Sequence, residues 1–246
     1  MTPTAKLVYD LRRRHNESGR GNQGNLRLID AVAYLSEAQG VWFSQLADVY
    51  ETNAFSRGEL RQFEQKEVEL TYRGKTGDAL MYAYPATLYK RLNQRARVRC
   101  TNECAGVEKD IPVTVDKTDK LNLSRINPFL KSSFSWERLL GDDAGHHLLI
   151  YPAPDTEIKS VTIDYLRKPE ELHAPSLVDA HCTQQAYEDY AGRPITEDVN
   201  FEPQSRYSDR KIIEIALLLI KGDRKDYNAF QQILQQIIFG EQGLKN

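Results

Sequence analysis

Cysteine is scarce in this chain: three residues, an odd number that completes no disulfide framework and suits free thiols in a reducing compartment. Long apolar runs are missing as well. No stretch approaches the ~18 apolar residues of a membrane helix, and the N-terminal MTPTAKLVYDLRRR has neither the apolar core nor the small-residue cleavage site of a secretory signal. A cytoplasmic or virion location is expected, without a membrane partner. Neither sign of charge is in excess: 33 Lys+Arg against 35 Asp+Glu leaves a formal charge of -2, which denies the chain the uniform basic coat of a general nucleic-acid binder. Glycine and proline, 14 and 10 of 246 residues, are too few for a low-complexity polymer. A mean hydropathy of −0.59 fits a water-soluble globular chain of one extended domain or two small ones.

Signatures of chemistry are equally sparse. Cys100 and Cys104, drawn together with Cys182, His146 and His147, lack the second close-spaced ligand pair of a structural zinc site. The five histidines, His15, His146, His147, His173 and His181, are scattered, and no Ser or Cys stands in a nucleophile-elbow context. Gly19, Gly21 and Gly24 spell G-x-G-x-x-G, but what precedes them is an Arg-rich helical stretch rather than the strand a dinucleotide site needs, so they read as a hinge. Pro154, Asp155, Glu157 and Lys159 resemble the elements of a metal-dependent nuclease compressed into six residues, a spacing that reads as a hairpin turn. No catalytic, cofactor-binding or metal-binding residue is assigned, and the chain reads as a non-enzyme.

Periodicity predicts an α+β chain: an N-terminal helical hairpin, a small central antiparallel β-rich module and C-terminal helices. Leu7, Val8 and Leu11 share one side of a short helix over 4–15, and residues 1–27 carry six Lys/Arg against two acids. Residues 1–25 are expected to form a mobile basic arm. Leu28, Val32, Leu35, Trp42, Leu46 and Val49 form one stripe of a long helix over 26–50, followed by a helix from Ser56, with Ser56 and Glu59 at capping-box spacing, to about residue 66. Val68, Leu70 and Tyr72 alternate as a strand, broken at Gly74–Gly77. Pro85 opens an expected short helix over 85–92, and further strands are expected at 111–115, 147–151 and 161–166. Helices follow at 180–191, 207–221 and 225–239. The domains are thus 26–66 with 177–240 (helical), 67–176 (β-rich) and a tail, 241–246.

Three features ask for partners. Ile212–Ile220 is apolar everywhere except Glu214, and a helix apolar all round must be covered all round. In the helix over 225–239, Phe230 and Ile237 lie on an apolar face while Gln231 and Gln235 lie largely opposite, a polar but uncharged surface suited to subunit contact. Arg95, Arg97 and Arg99 alternate with Ala96 and Val98, so one strand face carries three guanidiniums that must meet solvent, carboxylates or the phosphates of nearby DNA.

The segments DKLNLSRINPFLKSSFSWERLL (119–140), HLLIYP (147–152) and VTIDYLRKPEELH (161–173) resemble structural proteins of tailed phages of Bacteroidetes bacteria, including the crAss-like phages. There an Asn/Asp-Pro-Phe turn, an aromatic run, a strand ending near Tyr and a Tyr-x-Arg-Lys-Pro strand follow in this order. The resemblance implies a ring-forming subunit of the head-to-tail connector, similar to the tail adaptors of short-tailed phages. Its implied partners are further copies of itself, in a dodecamer by analogy with portal symmetry, the portal protein and adjacent tail or ring proteins, with nonspecific contact to packaged DNA. Its implied location is the virion neck, after assembly in the host cytoplasm. The alternatives are a metal-dependent nuclease or DNA-packaging enzyme, and a free DNA-binding accessory protein.

Overall fold

The computed structural model describes residues 2–18, 26–102, 106–115, 118–127, 129–176, 197–202, 206–221 and 237. It divides into a helical unit, residues 1–62 with 169–246, and a β unit, residues 63–168. The chain is α+β, as its periodicities predict.

In the helical unit, α1 (Thr4–Ser18), α2 (Leu28–Asp48) and α5 (Arg206–Lys221) pack on one another. The predicted stripe of α2 is the buried one: Val32, Leu35, Trp42 and Leu46 are all inside. Trp42 meets Phe201 edge-on, ring centroids 5.9 Å apart. The basic N-terminal segment is no free arm over 4–18, because Leu7, Val8 and Leu11 are buried in this core. Its start is tied down twice, by reciprocal backbone bonds between Thr2 and Phe201 at 2.9 and 3.1 Å and by Thr4 Oγ1 donating to the Val199 carbonyl at 2.6 Å. Likewise the apolar α5 is covered largely by its own chain: Ile212, Ile213, Ile215, Ala216, Leu218 and Leu219 are buried and Leu217 and Ile220 half-buried.

The short α3 (Ala54–Leu60) starts before the predicted Ser56. Asn53 is the cap, its side chain accepting from the backbone N–H groups of Phe55 (2.9 Å) and Ser56 (3.4 Å) and so satisfying donors the first turn leaves orphaned. A 3₁₀ turn, Arg61–Phe63, follows. Residues 169–176, expected in the β module, belong to the helical unit, where Leu172 and Ala174 are buried and Gln39 Nε2 donates to the Glu170 carbonyl at 3.0 Å.

The β unit is one eight-stranded sheet: β1 (Glu64–Glu69), β2 (Thr71–Thr76), β3 (Ala79–Ala83), β4 (Leu88–Cys100), β5 (Glu108–Val115), β6 (Leu139–Ala144), β7 (His147–Tyr151) and β8 (Thr156–Arg167), in spatial order β1-β8-β4-β5-β6-β7-β3-β2. Strands β1 and β2 lie at opposite ends of that order, yet only Leu70 joins them, so the sheet must curl until its ends approach. Side chains on the inner face, among them Ala96, Val98, Ile111, Phe134, Leu148 and Val161, form the core. Between β2 and the start of β8 the curl stays open as a groove of about 620 Å³, lined in part by Tyr72, Tyr82, Leu80 and Ile158.

Several expectations are corrected here. Residues 88–92 are the start of the long strand β4 rather than a helix, and two register shifts in its pairing with β8, between Leu88 and Lys90 and between Arg91 and Asn93, break the alternation that would mark a strand. Gly74 does not end β2 but forms a bulge within it, at φ 134°. The sheet is not wholly antiparallel: β5 and β6 run parallel. Their crossover contains α4 (Thr118–Ile126), in keeping with the long connection parallel strands require. β3, α4 and β6 are additions to the predicted elements, and the strand expected through Val68, Leu70 and Tyr72 is two strands, β1 and β2, joined at Leu70. The Pro152–Asp155 turn is not a hairpin, since β7 pairs with β3 and β6 while β8 pairs with β1 and β4. Cys100 is disulfide-bonded rather than a free thiol, and the other two cysteines lie outside the described residues.

Candidate functional site

The β4 register places Arg95, Arg97 and Arg99 exposed on one face and Ala96, Val98 and Cys100 buried on the other, the alternation read from sequence. What the sequence does not reveal is how many carboxylates share the arginine face. Across from Arg97 stands Asp110, and across from Arg99 stand Glu108 and Glu157. Arg97 Nε donates to Glu108 Oε2 at 2.9 Å. A hydrogen bond from Lys159 at 2.7 Å, aided by its charge and that of Arg99, holds the Glu157 carboxyl below the usual carboxylate range. Asp164, on the same face, accepts from the backbone N–H of Glu67 at 2.8 Å. Only Arg95 of the three arginines has no acidic residue directly opposite it; Thr162 and Pro112 are its register partners. Together these exposed cross-strand pairs leave a mixed-charge surface rather than a basic track. Within it lies a concavity of about 290 Å³ whose lining includes Glu67, Arg95, Asp110 and Asp164.

A second surface lies in the β5–β6 crossover. Helix α4 packs on β6 with Leu121 and Ser124 buried, while Leu123 is 69% and Ile126 80% exposed. The chain then turns at Asn127, whose side chain accepts from the Phe129 N–H at 2.9 Å and whose carbonyl accepts from Leu130 and Lys131, both at 3.0 Å. This turn presents Phe129, 70% exposed, against Trp136, 55% exposed. Their rings stack with centroids 5.7 Å apart and planes 10° from parallel. The loop beneath them is fixed on several sides. Ser133 and Arg138 exchange backbone bonds at 2.8 and 3.0 Å, Phe134 is buried in the sheet core, Lys109 bonds Glu137 at 2.7 Å, and Ser132 Oγ accepts from the Leu140 N–H at 2.9 Å. Arg125 ties α4 to Asp78 at 3.1 Å and lies over the Tyr151 ring at 4.5 Å.

Four large apolar side chains are thus held to solvent by a fixed scaffold. Fully burying one such side chain contributes about 1.5–3 kcal/mol, so each would gain from a covering surface. Sequence alone does not single out Leu123, Ile126, Phe129 and Trp136: the aromatic run after Asn127 does not separate the inward Phe134 from the outward Trp136.

Of the predicted subunit-contact residues, Phe230, Gln231 and Gln235 lie outside the described residues, as do Gly19, Gly21, Gly24 and the helix expected at 180–191. Ile237 is described, in helical backbone and half-buried. Asp155 sits in the turn before β8, and Glu157 is engaged with Lys159. No group of three or more His, Cys, Asp or Glu side chains among the described residues is arranged to hold a metal ion. No helix among them is long and apolar enough to cross a membrane. No protein-family model and no curated protein matches this chain.

Proposed function

We propose that this chain is a non-enzymatic structural protein of a tailed-phage virion, a ring-forming subunit of the head-to-tail connector that joins portal to tail around the DNA channel. The observation that carries the assembly part of this reading is the stacked, solvent-facing Phe129–Trp136 pair, in the same crossover as the exposed Leu123 and Ile126. An apolar surface so firmly scaffolded serves binding, and a closed ring needs only one such surface per subunit, repeated head to tail. The same residues fall in the 119–140 segment through which the chain resembles phage structural proteins, which supports the virion reading. The interleaved carboxylates of the arginine face favour protein contact over a DNA track.

Native mass measurement and negative-stain electron microscopy of the full chain test the proposal. A closed oligomer of fixed stoichiometry is expected, and one that also binds a phage portal protein. A chain that remains monomeric at micromolar to millimolar concentration, with or without portal, overturns it.

A further inference from the structure

We infer that the aromatic surface of one copy docks into the charged concavity of the next, so that the two surfaces described above are the two halves of one heterologous interface. The inference rests on the ring reading and specifies its contact.

The two surfaces are complementary in charge. Around the aromatic side, the exposed Lys120 and Lys131 have no carboxylate partner among the described residues, and Arg138 adds a third cation. Around the concavity, Glu67, Asp110 and Asp164 have no cationic ion-pair partner among the described residues. The concavity also holds Arg97, which is paired with Glu108, and Arg95, so three carboxylates against one remaining guanidinium leave it net negative among the described residues, opposite in sign to the lysines of the aromatic side. Such complementarity steers encounter and fixes register.

The remaining chemistry also matches. Phe129 and Trp136 offer a flat aromatic face, and Arg95, with no carboxylate directly across from it, lines the concavity. A guanidinium stacks on such a face, more strongly as water is excluded. Arginine and aromatic side chains are the types enriched at interface cores.

The surfaces are also distinct. The aromatic surface rides on α4 and the loop before β6, whereas the concavity spans β1, β8, β4 and β5 on the sheet's outer face. A surface that binds a different patch of an identical neighbour propagates head to tail and closes into a ring when the rotation allows. Pairing either surface with its own copy would instead bring like charges together.

A charge-exchange experiment on the full chain tests this. One variant carries Lys120→Glu with Lys131→Glu, and the other carries Glu67→Lys with Asp110→Lys. All four positions are exposed, so circular dichroism and thermal unfolding should match the parent. Each variant alone should assemble at least tenfold more weakly by mass photometry. An equimolar mixture should restore the parental oligomer, because each reversed surface then meets a neighbour of opposite charge. A parental chain that is itself monomeric overturns both the ring reading and this contact. Parental rings with variants that assemble normally overturn the contact alone and leave the aromatic surface to another protein. Variants that fail singly and also fail when mixed overturn it as well.

Discussion

Asp164 accepts the backbone N–H of Glu67 at 2.8 Å, and Glu67 sits at φ 52°, in the left-handed region, where the β1–β8 register shifts. The carboxylate thus anchors a bulge that turns the Glu67 side chain outward. Left-handed backbone costs a residue with a Cβ about 1–2 kcal/mol, and a β-branched one more. Glu67→Gly should therefore leave stability within about 1 kcal/mol of the parent, its relief of strain offset by greater freedom of the unfolded chain. Glu67→Val should destabilise by about 2 kcal/mol or more. Urea unfolding of both variants provides the comparison, and equal midpoints would refute it.

Gly141 in β6 is a close-approach glycine. A Cβ there would lie 2.8 Å from Val113 Cγ1 and 3.3 Å from both Leu148 Cδ1 and the Leu149 carbonyl. These neighbours belong to strands packed on both sides of β6, so little room exists for them to give. Gly141→Ala should destabilise the β unit by about 1–3 kcal/mol, the usual range for overpacking. Thermal unfolding monitored by Trp136 fluorescence, read as a fall in Tm, checks it.

Asn53 caps α3 through two backbone donors. Replacing it with Ala should cost about 1 kcal/mol, and replacing it with Asp or Ser should restore most of that. Chemical unfolding of the three variants distinguishes a capping role from mere tolerance of the position.

Tyr82 is buried, and burial, with a smaller contribution from the charge of Tyr72, pushes its hydroxyl up to about 12. The sign follows from linkage: the unfolded tyrosine ionises near its ordinary pKa of about 10, whereas the folded one resists. Its contribution is complete below about pH 10 and is lost as pH rises through about 12. Stability should therefore fall across that window, and Tyr82→Phe should flatten the fall without altering the neutral-pH profile. An unchanged alkaline limb in the variant would contradict this.

For the proposed ring, Arg95, Arg97 and Arg99 changed together to Gln should leave its binding to duplex DNA unaltered at low and high salt, while weakening its assembly with DNA absent. DNA binding that the parent shows, that salt suppresses, and that the triple variant loses would instead assign the face to a DNA passage.

The elements legible in sequence are those whose pattern is uninterrupted. The α2 stripe and the alternation from Arg95 to Cys100 each present one face to a core and one to solvent, so their period survives in the residue types. The start of β4 was hidden because bulges interrupt its alternation. β6 was hidden because its inner positions include Gly141, chosen by the close approach of Val113 rather than by strand propensity, and because Asp142 and Asp143 follow it. The arginine face was visible as three cations, but its carboxylates come from β5 and β8, far apart in sequence and joined only by strand register. The outward turn of Leu123 against the inward turn of Leu121 is fixed by how α4 lies on β6, a tertiary relationship that residue types alone do not encode.

The β unit begins and ends on adjacent strands: Glu64, at the start of β1, pairs with Leu166, near the end of β8. Antiparallel neighbours stand about 5 Å apart between Cα atoms, so the chain departs from and returns to the helical sequence through almost the same point. Residues 63–168 therefore form a cassette spliced into a helical host. Excision across that point, bridged by a short glycine-rich linker, leaves the helical sequence with no gap to span, and the cassette keeps all eight of its strands. Recombination between genes can exchange such a cassette whole, since neither piece needs its own chain rethreaded, and this gives a lineage a route to replace the surface the cassette presents while keeping the helical host.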